Sequence, residues 1–94
     1  MDQIQYGVAW YSETEWSTWR QSVSDPEMFE EHFSDWKKNA EQRIKELEKQ
    51  GLSIRRVPIR VESFLGWCAR NNRAADAAAR VDYVCEIQKA TDEN

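Results

Sequence analysis

Phe29, Phe33, Trp36, Ala40, Ile44 and Leu47 recur at steps of three and four residues in the stretch between Pro26 and Gly51. That period lines one face of an α-helix and predicts a long helix over about 26–50. Asp25 is placed to cap it, and Pro26 has no amide hydrogen to lose at the first helical position. Gly51 suits the left-handed residue that follows a helix end. The opposite face is charged, with pairs such as Glu41 and Lys45 adding support one turn apart. A helix with one apolar stripe needs other elements to cover it, so the flanking segments must supply a core.

Two segments read as strands. From Ile4 to Tyr11, Tyr6, Val8 and Trp10 alternate with Gly7, Ala9 and Tyr11, which gives apolar residues on both faces. Leu52 to Ile59 holds the β-branched Ile54, Val57 and Ile59, while Pro58 forbids a helix interior and points to an edge strand or bulge. Ser12-Glu13-Thr14-Glu15 matches a capping box, with Tyr11 and Trp16 as a hydrophobic staple. It opens a short helix over about 13–23 that carries Trp16, Trp19 and Val23 on one stripe. A third helix is expected over about 62–70 with Val61, Phe64, Leu65 and Cys68 on one side. Asn72 is then placed to cap a fourth over about 73–89, with Ala74, Ala77, Ala78, Val81, Val84 or Cys85, and Gln88 turned inward.

The predicted fold is therefore α+β in the order β-α-α-β-α-α, a small two-stranded sheet packed against four helices including the long one. The strands need each other to satisfy their backbone groups, the helices must cover one face, and an edge is left for a partner. Ninety-four residues suit one domain, with residues 1–3 and 90–94 expected to fray. No long uncharged apolar run or basic leader occurs, and the expected setting is the cytoplasm. Cys68 and Cys85 read as reduced, half-buried core residues.

Residue chemistry points away from catalysis. The only histidine is His32, beside the apolar stripe and expected to face solvent, so a nucleophilic Cys68 or Cys85 has one possible base. Glu27, Glu31, His32 and Asp35 lack the spacing of a metal site and are better explained as helix-dipole partners. Three isolated glycines make no phosphate loop. The chain is accordingly read as a non-enzyme that needs no cofactor or metal, with a small thiol enzyme as a distant alternative.

Binding is the remaining class. Five tryptophans in so short a chain exceed what one small core hides readily, unless all five line it and each indole finds a carbonyl. Exposed tryptophan beside arginine is the composition of interface hot spots. Trp36 is assigned to the core, and of Trp10, Trp16, Trp19 and Trp67 at least one or two should be partly exposed. Trp16, Trp19 and Trp67 are the expected anchors, and Arg55, Arg56 and Arg70 the charged contacts, for a protein partner or for self-association as a homodimer. Acids dominate residues 1–50, whereas Arg55, Arg56, Arg60, Arg70, Arg73 and Arg80 face only Glu62 and Asp76 across residues 55–80. That arginine-rich span makes nucleic-acid association, or inhibition of a nucleic-acid machine, the alternative reading. The acidic pI near 5.0 weighs against it.

The succession Val8-Ala9-Trp10-Tyr11, Asp25-Pro26, Trp36 on a helix ending at Gly51, and Phe64-Leu65-Gly66-Trp67-Cys68 resembles small uncharacterised bacterial or phage-borne proteins of about ninety residues. The resemblance implies a prokaryotic, cytoplasmic setting and carries no catalytic residue.

Overall fold

A computed structural model describes residues 5–92. Strands β1 (Gln5–Trp10) and β2 (Ser53–Pro58) form a two-stranded sheet, and the pairing is parallel, in register from Gln5 opposite Ser53 to Trp10 opposite Pro58. Parallel neighbours require a crossover, since the chain must return to the starting end of the sheet. Helix α1 (Trp16–Ser22), a 3-10 turn at Pro26–Met28 and helix α2 (Phe33–Lys49) make that crossover. Helices α3 (Val61–Arg70) and α4 (Ala77–Asp92) follow β2. The expected α+β order is the observed one. The ends expected to fray lie outside the described residues, except for the last turn of α4, which continues to Asp92.

One hydrogen bond fixes the phase of the sheet. The Ile59 amide donates to the Trp10 carbonyl at 3.2 Å. Backbone groups alternate sides along a strand, so Tyr6, Val8 and Trp10 turn theirs toward β2, while Gln5, Gly7 and Ala9 turn theirs to the outer edge of β1. By the same alternation Pro58 faces the outer edge of β2, where its missing amide removes no ladder bond.

The helices cover both faces of the sheet rather than the one expected. Trp36 of α2 packs on Trp10 with ring centroids 4.9 Å apart. On the opposite face α4 lies so close to Gly7 that a Cβ there would overlap Gln88 Oε1 and sit 3.0 Å from Val84 Cγ1. Gln88 Nε2 also donates to the Gln5 carbonyl at 2.8 Å, which closes one outward group of the β1 edge.

The long helix starts later than its periodicity predicts. Phe29 is extended and buried, and α2 begins at Phe33. Asp25 makes no side-chain cap to the turn it precedes. Its carboxylate accepts instead from the Ala77 amide at 3.0 Å, at the start of α4. At the other end Gly51 has φ +90, and Leu52 and Gly51 donate to the carbonyls of Leu47 and Glu48 in a Schellman closure.

Asn72 behaves like Gly51 and not as the expected cap. With φ 53 it closes α3, while Arg73 donates to the Cys68 carbonyl at 2.9 Å. The cap of α4 is Asp76, whose Oδ1 accepts from the Ala79 amide at 3.0 Å. The buried side of α4 is rotated from the alanine stripe expected there: Ala79, Arg80, Val84 and Gln88 are inside, whereas Ala74, Ala78, Val81 and Cys85 are exposed. Of the two cysteines, only Cys68 is in the core.

The capping box at Ser12 is half formed. The Glu15 amide donates to Ser12 Oγ at 3.3 Å, but the Glu15 carboxylate accepts from the Val61 amide at 3.3 Å and so anchors the start of α3.

Candidate functional site

Tyr11 is the hub of an aromatic core. Its ring lies 5.0 to 5.7 Å from those of Trp16, Trp19, Phe29 and Trp36. A second lobe runs from Trp19 through Phe64 to Trp67 and Tyr83. Trp16, Trp19 and Trp67 keep 5%, 0% and 9% of their exposure, so the three expected anchors are enclosed within the chain and do not form its surface. Trp16 Nε1 donates to the Glu30 carbonyl at 3.2 Å, and Trp67 Nε1 to the Glu86 carboxylate. The Trp19 indole nitrogen is buried without a hydrogen-bond partner among the described residues.

The tryptophan surface left over belongs to Trp10 and Trp36, both half-buried. They line a groove of about 350 Å³ with Val8, Ala9, Tyr11 and Met28. Met28, on the 3-10 turn, is 64% exposed, the highest value among the large apolar side chains that face solvent. The groove runs along Val8, Ala9, Trp10 and Tyr11, and Gly7 and Ala9 direct their backbone groups to the outer edge of that strand. No hydrogen bond from these outward groups to turn, loop or helix backbone occurs among the described residues.

The expected arginine contacts do not form one patch. Arg55 pairs with Gly7 and stands on the α4 face of the sheet, Arg56 pairs with Val8 on the α2 face, and Arg70 ends α3. Arg56 places its guanidinium 4.6 Å from the centre of the Trp10 ring. Arg43 of α2 lines the same groove. Neither Arg43 nor Arg56 has a carboxylate partner among the described residues. Glu30 is the acid in the groove, and its Oε1 accepts from Asn39 Nδ2 at 3.5 Å. Elsewhere in the basic span Arg73 pairs with Asp82 at 2.8 Å, and Arg80 is buried.

Arg80 is a charged residue buried in the core. It meets both Asp25 oxygens, at 2.9 and 3.0 Å, and lies 4.8 Å over the Phe29 ring. The bonds from Arg80 hold the Asp25 carboxyl below its ordinary range, against the opposing effect of burial. Burial works to lower the guanidinium, but the bonds to Asp25 and the neighbouring Tyr11 leave it raised. Burial pushes the Tyr11 hydroxyl up to about 12, with Arg80 opposing. These groups join the 25–29 segment to α4, and every charge is matched, as a structural network requires.

Catalytic groups are not brought together. His32 is exposed beside the start of α2, and Cys85 is exposed. Cys68 is buried, and burial pushes its thiol up, the reverse of what a nucleophile needs. Among the described residues no group of three or more His, Cys, Asp or Glu is placed to hold a metal ion, and no helix is long and apolar enough to cross a membrane.

Trp10, Met28, Trp36 and Arg43 were not predicted as site residues. Periodicity assigns Trp36 to the core, correctly for one face of its ring, and Met28 to a helix that starts only after it. Which strand edge stays open depends on pairing between residues some fifty positions apart, and no local pattern encodes it. No protein family, curated protein or solved structure was found to match the chain.

Proposed function

We propose that this chain is a protein-binding, regulatory module that works by surface contact and performs no catalysis. The observation that supports this is the groove of Trp10, Met28 and Trp36 beside the outer edge of β1. It gathers exposed apolar area, half-buried indole and the Arg43 side chain, with the Arg56 guanidinium over Trp10 and neither arginine paired with a carboxylate among the described residues, the composition that dominates interface energetics. The anchors move accordingly from Trp16, Trp19 and Trp67 to Trp10, Met28 and Trp36, and the charged contacts from Arg55 and Arg70 to Arg43, with Arg56 retained. Dispersal of the other arginines over both sheet faces and into ion pairs favours this reading over a nucleic-acid surface. A cytoplasmic setting is part of the proposal, supported by two cysteines left unpaired, one of them exposed.

The test is affinity capture from host extract with wild type, Met28→Asp and Arg43→Glu, each shown to be folded by circular dichroism. Proteins recovered with wild type and lost with both variants support the reading. An identical set recovered with all three removes the groove from the interface. Light scattering alongside separates a partner from self-association, which would give twice the chain mass of 11.1 kDa.

A further inference from the structure

The two outer edges of the sheet are unequal. On β2 the outward positions include Pro58, which offers no donor. On β1 the outward positions are Gln5, whose carbonyl Gln88 takes, and Gly7 and Ala9, which have small or no side chains, a donor and an acceptor each, and at Ala9 a groove alongside. An unpaired edge of this kind matches the spacing of an extended backbone, and pockets beside it select alternate side chains.

We propose that the outer edge of β1 takes an extended peptide of a partner protein as a third strand, a proposal that rests on the binding-module reading above. The peptide's backbone bonds to Gly7 and Ala9, and an apolar side chain enters between Met28 and Trp36. The rim decides its charge. Arg43 and Arg56 lie on the groove's own face, without carboxylate partners among the described residues and against the single Glu30, so the complementary peptide carries an acidic residue on the same face as its apolar one, two positions away. This preference is local and opposes the formal net charge of −4 on the chain, so added salt alters affinity only modestly.

The probe is a fluorescein-labelled octapeptide with leucine and glutamate taking turns at the positions of one face and threonine at those of the other, blocked at both ends and titrated into the full chain by fluorescence anisotropy. Two derivatives are N-methylated at alternate amides, one on the odd set and one on the even. Strand addition predicts that one derivative loses at least tenfold in affinity while the other binds as the parent does. Replacing glutamate by lysine, or Arg43 by Glu, weakens binding severalfold. In the protein, Ala9→Pro removes an outward amide and no ladder bond, and it weakens the parent peptide at least tenfold with an unchanged circular dichroism spectrum. Should Ala9→Pro unfold the chain, the methylated pair decides alone. Equal binding of both derivatives, absence of binding at millimolar peptide, or a wild-type dimer that Ala9→Pro dissociates each overturns the proposal. If captured partners still depend on Met28 while the methylated pair shows no difference, strand addition fails and the surface-contact reading survives.

Discussion

Asp25→Ala tests whether the ion pair with Arg80 holds the crossover to α4. The Arg80 and Asp25 side chains keep 8% and 15% of their exposure, and the guanidinium donates to both carboxylate oxygens. Removing the acid leaves a buried cation unmatched, a loss of about 3–5 kcal/mol. The same carboxylate accepts from the Ala77 amide, and losing that cap costs about 1 kcal/mol more. A domain of this size has a total stability of roughly 5–14 kcal/mol. At about 4–8 °C per kcal/mol, a total loss of about 4–6 kcal/mol lowers Tm by about 16–48 °C, readable by circular dichroism melts and urea titration. Asp25→Ala with Arg80→Met removes the stranded charge and lays a thioether over Phe29, so the double variant recovers to within about 1–2 kcal/mol of wild type. Acid gives an independent check. Because the folded pKa of Asp25 lies below 3.8, its contribution is present above roughly pH 4 and is lost as pH falls through the folded value. The wild-type and Asp25→Ala stabilities therefore converge in acid. A loss under about 1 kcal/mol for Asp25→Ala, or a double variant with additive costs, would refute the reasoning.

Tyr11, whose hydroxyl is pushed up to about 12, stays neutral in the fold after unfolded chains have ionised near pH 10. Its contribution is present below pH 10 and lost as pH rises to about 12, so Tyr11→Phe is less destabilised than wild type across that window in alkaline melts. Gly7→Ala drives a methyl into Gln88 and Val84, costing about 1–3 kcal/mol, and Gln88→Ala in the same chain returns part of it. Native protein reacts at one thiol, Cys85, with an aromatic disulfide reagent, and Cys68 follows only in denaturant. Fast labelling of both would contradict the placement of Cys68 in the core.

The elements were legible in the sequence because each carries its own period: alternation in β1, and steps of three and four in α2 and α3. The partners of the capping acids were not. Asp25 and Glu15 stand where local rules give them a neighbouring amide, yet their carboxylates reach Ala77 and Val61, fifty-two and forty-six residues away. A local motif names a residue able to satisfy a helix start and leaves open which helix that is. Arginine is seldom a core residue, so a pattern reading turns Ala78 and Val81 inward on α4 and Arg80 outward. The Asp25 carboxylate and the Phe29 ring reverse that choice, rotating the helix and leaving Val81 61% exposed.

The same limit governs the tryptophans. A surface surplus follows from their number, and the sequence cannot say which of them carry it. Trp16 and Trp19 are enclosed around Tyr11, the residue after β1, together with Phe29 of the extended segment, and Trp67 lies against Phe64 and Tyr83. Trp10, one residue before Tyr11, packs on Trp36 of α2 and under Arg56 and stays half-buried. The alternation that buries Tyr11 is thus what leaves Trp10 at the groove. It also sends the amide of Ala9, the residue before Trp10, to the outer edge of β1. Core and candidate site are set by the parity of three consecutive residues, so a one-residue register slip of β1 would exchange them. An insertion after Val8 should therefore damage stability and partner capture together, whereas Ala9→Pro damages capture alone.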